Sequence, residues 1–243
     1  MLRATSVPKR TRASKRPGPL PEPRVRLDVE ERRTQLVALG LEHFGNRAYD
    51  DVSIDAIASA AGISKGLLYH YFPTKRAYYA AIIAKAAALL VACTETDESL
   101  PPLARLHAGL DAYLAYVREH AKAYATLLRS GVGVDPEIAR IVDETRAMFL
   151  SRLTSGFDEG YLPRGEGPAA SAVLESPAVR LALRGWVGFA EAVSLGWTEA
   201  IAAGEPAPSQ DEVRTLLGHA LLDIVRSAAE GGSAHPSIGG IRK

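Results

Sequence analysis

From residue 28 to about residue 229, the chain is a succession of apolar patterns with helical spacing, each bounded by start and stop signals. Asp28, with Glu31 three residues later, predicts a capping box that opens the first helix. Asp135 followed by Pro136 predicts another helix start, because proline is favoured at the first helical position. No segment alternates apolar and polar residues over the length of a strand. We therefore predict an all-α fold of about nine helices.

The formal net charge of +1 hides a strong asymmetry. Residues 1–26 carry eight basic residues and one acid, so this segment holds +7 and the rest of the chain holds −6. The same segment contains five prolines, and we predict a disordered basic arm. Such an arm suits an anionic partner, and the alternative is a solvated tail without one.

Several classes of protein are disfavoured by the sequence. Cys93 is the only cysteine, so neither an internal disulfide nor a cysteine-based zinc site is expected. No charge-free apolar run reaches membrane-spanning length, and the basic N-terminus lacks the apolar core of a signal peptide. The six histidines lack metal-ligand spacing, and the sequence contains neither a glycine-rich phosphate loop nor a nucleophile elbow. We predict a cytoplasmic protein with no cofactor, metal, membrane partner or enzymatic activity.

The segment from Ser53 to Lys75 has the spacing of a helix-turn-helix. A short helix opens at Ser53, Gly62 suits the turn, and a second helix opens at Ser64 and ends before Pro73. In this motif the second helix enters the major groove of DNA, with its N-terminal residues toward the base edges. Polar and aromatic side chains then belong on its outer face, where a core helix would carry alanine and leucine.

The second helix supplies side chains suited to that role. Lys65 can donate to guanine acceptors, Gly66 permits close approach, and Leu67 can contact a thymine methyl. Tyr69 can reach a base edge or a phosphate, and Lys75 lies in the first turn of the next helix, where a phosphate is favoured. Tyrosines beside a glycine turn are also compatible with ordinary packing. The residues that we predict to contact DNA are Ser53, Ser64, Lys65, Gly66, Leu67, Tyr69, His70, Tyr71, Thr74 and Lys75.

The DNA-reading segment is close to electrically neutral. Between residues 27 and 80, six basic residues face seven acids. We therefore expect the arm at 1–26 to supply the nonspecific attraction, either along phosphates or in a minor groove.

The order of motifs around this segment is specific. It contains the Phe44-Gly45 turn, Tyr49 before DDVS, Ile57-Ala58, AGIS, LLYHYF and Lys75, within LGLEHFGNRAYDDVSIDAIASAAGISKGLLYHYFPTKRAYYAAI. Residues 32–84 thereby resemble the DNA-binding domain of the TetR (tetracycline-repressor-like) family. The resemblance implies a homodimer in which the first three helices read double-stranded DNA and the fourth joins them to a ligand-binding body.

The resemblance also assigns roles by position. Family contacts to DNA fall on Lys65, Gly66, Leu67, Tyr69 and Tyr71, and a phosphate contact falls on Lys75. One departure concerns Tyr71, where many members have histidine. Tyrosine keeps a hydroxyl group but cannot carry a positive charge.

Two late helices, at about 176–202 and 209–229, each carry an apolar stripe. These stripes fit an intermolecular four-helix bundle and fit an intrachain core equally well, and the resemblance favours the bundle. A dimer would place two reading helices about 34–36 Å apart, which suits a palindromic operator. The predicted dimer interface consists of Val193, Trp197, Val213, Leu217 and Leu221.

A ligand pocket is predicted among the body helices. Tyr113 and Tyr124 would place polar tips in an apolar lining, as ligand sites usually require. The predicted lining is Leu110, Tyr113, Leu114, Tyr124, Leu128, Met148, Phe149 and Trp186. Each of these residues also fits an ordinary core. The apolar lining favours an apolar small-molecule inducer.

The sequence divides into four predicted parts: a basic arm at 1–26, a helix-turn-helix domain at 27–77, a helical ligand-binding and dimerisation domain at 78–230, and a disordered tail at 231–243. We expect a DNA-binding transcriptional regulator, a repressor that a small apolar ligand releases from a palindromic operator. The alternatives are a DNA-binding dimer without an inducer, and an all-α binding or enzymatic body with a vestigial DNA-binding head.

Overall fold

The computed structural model describes residues 28–45, 47, 49–128, 135–159 and 176–233, and these residues form nine helices and no strand. The predicted all-α fold is confirmed. The helices are α1 Val29–Phe44, α2 Ile54–Ala60, α3 Lys65–Tyr71, α4 Lys75–Cys93, α5 Pro102–Glu119, α6 Ala121–Thr126, α7 Pro136–Glu159, α8 Pro177–Ala203 and α9 Gln210–Ser233.

The two predicted terminal segments lie wholly or mostly outside the described residues. The arm at 1–26 lies outside the described residues. The final helix continues to Ser233, so residues 231–233 of the predicted tail are helical instead, and residues 234–243 lie outside the described part of the chain.

The helix boundaries follow the signals in the sequence. The Asp28 carboxylate accepts from the Glu31 amide at 2.7 Å, and the Glu31 carboxylate accepts from the Asp28 amide at 2.9 Å, which completes the predicted capping box. Gly62 has φ +66°, in the left-handed region that favours glycine, so the chain can turn sharply between α2 and α3. Phe72, which precedes Pro73, is extended and ends α3.

The N-terminal core joins α1, α2, α3 and the first half of α4. Leu36, Ile57, Leu68 and Phe72 are almost completely buried in it. Tyr78 of α4 is also buried there, and its hydroxyl donates to the Leu36 carbonyl. Burial raises the pKa of Tyr78 well above its usual value. The predicted division at 77/78 therefore runs through the first turn of α4, whose inward residues belong to this core.

The same core includes one end of α7. Ile138, Ile141 and Val142 are buried in the N-terminal cluster, although they follow it by more than fifty residues. Arg76 at the start of α4 reaches Asp135 just before α7, and its Nη2 donates to Oδ1 at 2.8 Å. The Arg76 guanidinium holds the pKa of Asp135 below its usual range.

The second core joins α5, α8 and α9 with part of α7. Its buried residues include Leu106, Leu153, Leu183 and Trp186. The Trp186 indole donates to the Leu217 carbonyl at 3.0 Å and so ties α8 to α9.

This second core corrects the predicted dimer interface. Trp197, Val213, Leu217 and Leu221 are at most 5% exposed within the single chain, and Val193 packs against the same cluster. The Trp197 indole also donates within the chain, to the Pro208 carbonyl at 2.8 Å. The helical period was assigned correctly, but these stripes face the chain's own interior. A partner chain could contact only the exposed sides of α8 and α9, opposite the stripes.

Helix α4 is long and apolar enough to cross a membrane by length and composition alone. Its inward side chains, including Tyr79, Ile82 and Ile83, are instead buried against other helices. Its contacts run to α1, α5 and α7. This arrangement is that of a core helix.

Gly40 lies where α1 packs on α4. An added methyl group would lie 2.7 Å from the Tyr78 hydroxyl and would overlap the end of the Ile82 side chain. Because the Tyr78 hydroxyl is held by the Leu36 carbonyl, we expect Gly40→Ala to lower the free energy of unfolding by about 1–3 kcal/mol. Urea unfolding followed by circular dichroism measures this change.

The matched control is Gly66→Ala on α3. An added methyl group there would meet only the Ser64 hydroxyl, at 3.9 Å, so stability should stay the same or rise slightly. An unchanged urea midpoint for Gly40→Ala would contradict the close approach of α1 and α4.

Candidate DNA interface and ligand cavity

Three side-chain caps fix the starts of the helices around the helix-turn-helix. The Ser53 hydroxyl accepts from the Ala56 amide at 3.2 Å, and the Ser64 hydroxyl accepts from the Leu67 amide at 3.2 Å. The Thr74 hydroxyl caps α4 in the same way, at 3.0 Å from the Ala77 amide. Ser53, Ser64 and Thr74 are all exposed. Each helix therefore begins at a defined residue on the surface, where its amide dipoles can face an anion.

The first turn of α3 points outward. Lys65 and Gly66 are exposed and Leu67 is 40% exposed, whereas the neighbouring Leu68 is fully buried. The Lys65 ammonium lies 2.9 Å from the Asp55 carboxylate on α2, and this contact raises the pKa of Lys65. Any other acceptor of the Lys65 ammonium would therefore compete with this carboxylate.

The aromatic end of α3 is partly structural. His70 is exposed, Tyr69 and Tyr71 are half-buried, and the His70 and Tyr71 rings meet edge to face at 5.7 Å. Arg33 of α1 donates to the Tyr71 carbonyl at 3.3 Å and covers the Phe72 ring at 4.6 Å. The outward side of the helix is thus polar while its inner side anchors it to α1.

Lys75 is positioned by the loop before α2. Its ammonium donates to the Asp50 carbonyl at 3.2 Å and lies 4.7 Å from the centre of the Tyr49 ring. The Lys75 side chain is therefore held beside the N-terminus of α4. The positive ammonium and the positive end of the helix dipole would both favour a phosphate there.

A cavity of about 590 Å³ lies in the body, with walls formed by α4, α5, α6, α7 and α8. Its volume is within the range of small-molecule sites. Six of the predicted ligand residues line it: Leu110, Tyr113, Tyr124, Leu128, Phe149 and Trp186.

Two predicted ligand residues do not line the cavity. Leu114 is fully buried in the second core, and Met148 is 48% exposed on the outer side of α7. Each is a direct sequence neighbour of a lining residue, Tyr113 or Phe149, and one helical step turns a side chain by about 100°. The side chains of Leu114 and Met148 therefore lie on helix faces turned away from the cavity.

One polar cluster in the cavity wall is built from four helices. The hydroxyls of Tyr113 on α5 and Tyr124 on α6 are 2.7 Å apart. Arg146 on α7 makes a bidentate pair with Glu191 on α8, at 2.9 and 2.7 Å. Tyrosine hydroxyls are neutral at physiological pH, and burial raises the pKa of both still further.

Comparison with known proteins identifies this arrangement. A family model described as "Bacterial regulatory proteins, tetR family" matches residues 36–82, and one described as "Tetracyclin repressor-like, C-terminal domain" matches residues 102–222. A solved TetR-family transcriptional regulator from Streptomyces coelicolor is 31% identical, with a TM-score of 0.68, over 88% of this chain and 93% of that one. The chain belongs to the TetR family.

Two curated relatives are also TetR-type matches over shorter lengths. The HTH-type transcriptional activator FasR of Mycolicibacterium smegmatis is 30% identical over 120 residues, which are 47% of this chain and 53% of FasR. The transcriptional regulator AcuR of Cereibacter sphaeroides is 36% identical over 104 residues, which are 42% of this chain and 44% of AcuR. The chain thus spans about half the length of these two relatives. The predicted class, a DNA-binding transcriptional regulator, is confirmed at the level of the family.

Some residues of this TetR-family chain escaped the sequence reasoning. Asp55 and Arg33 restrain the DNA-facing helix, and Arg146 and Glu191 line the cavity. Arg146 and Glu191 are 45 residues apart in the sequence. No periodicity or short motif connects residues so far apart, so only the packing of α7 on α8 reveals the pair.

The bare backbone at Gly66 gives a test of the DNA interface. Because a methyl group fits the free protein there, Gly66→Ala should fold normally but obstruct the approach of the first turn of α3 to DNA. We expect specific DNA affinity to fall at least tenfold, measured by fluorescence anisotropy with a duplex selected by the protein. Gly109→Ala in the body, where an added methyl meets only ordinary contacts, is the matched control. Equal affinity for the two variants would show that α3 does not approach DNA closely.

Proposed function

We propose that this TetR-family chain is a cytoplasmic repressor that binds a palindromic operator as a homodimer and leaves it when a small apolar molecule fills the cavity. The proposal rests on one observation above all: the same chain presents an exposed polar first turn on α3 and holds a cavity of about 590 Å³ in its body. A DNA-reading surface and a ligand site are the two parts that such a switch requires.

The packing of α7 supports a connection between these two parts. One end of α7 places Ile138 and Val142 in the N-terminal core, and its later turns supply Phe149 to the cavity wall. The pair between Arg76 and Asp135 fixes the start of α7 to the start of α4. A ligand that fits the cavity better in one position of α7 would shift the reading helices, in proportion to its difference in affinity for the two states.

The outer side of α8 suits a second copy of the chain. Leu181, Gly185, Gly188 and Phe189 lie on the exposed side of this helix, opposite the buried stripe. Leu181 is 72% exposed, and nothing lies within 4 Å of a methyl group added at either glycine. Leu216 of α9 is 50% exposed. Small residues between larger apolar ones allow two helices to approach closely, so we place the dimer contact on this side.

Selection of random DNA duplexes by the purified protein, followed by sequencing, tests the proposed function. We expect an enriched palindrome whose half-sites are one helical turn apart, because two reading helices must reach successive major grooves. The absence of any enriched sequence at low salt would overturn the proposal. A reporter placed behind the selected palindrome then reads the sign of regulation, which matters because FasR is named an activator.

A charge on the outer side of α8 and α9 tests the dimer contact. The double variant Leu181→Glu with Leu216→Glu should shift the protein from dimer to monomer in sedimentation velocity, because it buries two carboxylates in the proposed interface. Operator affinity should fall at least a hundredfold. Leu103→Glu is the matched control, since Leu103 is 43% exposed and belongs to α5, which is not part of the proposed contact. A double variant that remains dimeric would place the contact elsewhere.

A further inference from the structure

Four polar side chains of the cavity wall form one cluster. Tyr113, Tyr124, Arg146 and Glu191 come from four different helices and meet on one part of the wall. Ser194, one turn beyond Glu191, lies beside Tyr113 and is fully buried. Buried polar groups cost free energy unless each has a hydrogen-bond or charge partner. The groups in this cluster therefore limit which polar or charged groups a ligand can place beside them.

The tyrosine pair has unused hydrogen-bonding capacity. The two hydroxyls share one hydrogen bond of 2.7 Å, and either oxygen can be its donor. This bond uses one of the two hydroxyl protons and one of several acceptor lone pairs. Tyr113 also lies within hydrogen-bonding reach of Ser194, whose own hydroxyl donates to the Ala190 carbonyl at 2.7 Å. When Tyr113 donates to Tyr124, the Tyr124 hydroxyl can donate to a carbonyl oxygen, or accept from a hydroxyl group, of a molecule in the cavity.

The charged residues of the wall, by contrast, are balanced. Three arginines and three glutamates line the cavity, so their formal charges cancel. Both carboxylate oxygens of Glu191 accept from Arg146, which also donates to Asp143 at 3.2 Å. A charged ligand would have to break this pair or remain without an opposite charge.

Arg152 is a second lining arginine that already has partners. Its guanidinium donates to the Val91 carbonyl at 3.0 Å and to the Thr94 hydroxyl at 2.9 Å. The same guanidinium lies 3.6 Å from the Glu95 carboxylate. Arg152 therefore joins α4 to α7 and already has an acidic neighbour.

We propose that the cavity takes a neutral, mainly apolar molecule with one carbonyl or hydroxyl group, and that this group hydrogen-bonds to the Tyr113–Tyr124 pair. The inference rests on the proposed function, since it specifies the chemical class of the inducer. Leu110, Phe149 and Trp186 enclose the apolar part of the molecule. The tyrosines select for the polar group, and the balanced charges of the wall select against ions.

A series of ten-carbon probes tests this class in the absence of DNA. The affinities of 2-decanone, 1-decanol, decane, decanoate and decylammonium are measured at neutral pH by titration of the tryptophan fluorescence, since Trp186 lines the cavity. We expect 2-decanone and 1-decanol to bind at least tenfold more tightly than either ion. Tighter binding of decanoate or decylammonium, or no binding of any probe, would overturn the inference.

Removal of the two hydroxyls tests the anchor itself. In the double variant Tyr113→Phe with Tyr124→Phe, the Kd of 2-decanone should rise about tenfold, while the Kd of decane stays within a factor of two. Tyr116→Phe is the matched control, because the Tyr116 hydroxyl already donates to the Ala86 carbonyl at 3.0 Å. An unchanged Kd of 2-decanone in the double variant, or an equal loss of decane binding, would overturn the anchor.

The inference and the proposed function fail in different ways. Binding of 2-decanone with this pattern, without release of the selected duplex, would support the inference and overturn the inducer part of the proposed function. Release of the duplex by decanoate but not by 2-decanone would support regulation and overturn the neutral class.

Discussion

The packing of α7 against α4 is the contact on which the rest of the structure depends. Ile138, Ile141 and Val142 complete the N-terminal core, and the same helix continues into the cavity wall. The N-terminal core and the cavity wall therefore share one helix, which gives the proposed regulation a physical connection. Close-packed interiors transmit small displacements because they have few voids to absorb them. The pair between Arg76 and Asp135 adds a directional link at the point where the two helices begin.

In the proposed DNA-facing surface, the positions of the charged side chains matter more than their total charge. The head is nearly neutral, and its two outward lysines are held by its own residues, Lys65 by Asp55 and Lys75 by Asp50. Such contacts keep a long side chain in place and reduce the entropy that it loses on binding. Under the proposed function, each cation would have to give up a local partner before it could contact a phosphate or a base edge.

The cavity combines an apolar wall with charges that neutralise one another. The bidentate pair of Arg146 and Glu191 satisfies groups that would otherwise be expensive to bury. The two tyrosines are neutral at physiological pH as ordinary phenols are, and burial raises the pKa of each hydroxyl further. The site thus has polar groups that give direction without giving net charge. Such a wall suits the neutral class of ligand proposed above.

The sequence by itself determined the helices and their caps, because these depend on residues within a few positions of one another. Asp28, Gly62 and Ser64 could be assigned from local chemistry alone. Only the tertiary structure decided which side of each helix faces which neighbour. Leu217 and Leu221 of α9 face the chain's own core, and Leu114 turns away from the cavity beside it. A helical period shows that an apolar stripe must be buried. Which helix or chain buries it depends on contacts between residues far apart in the chain.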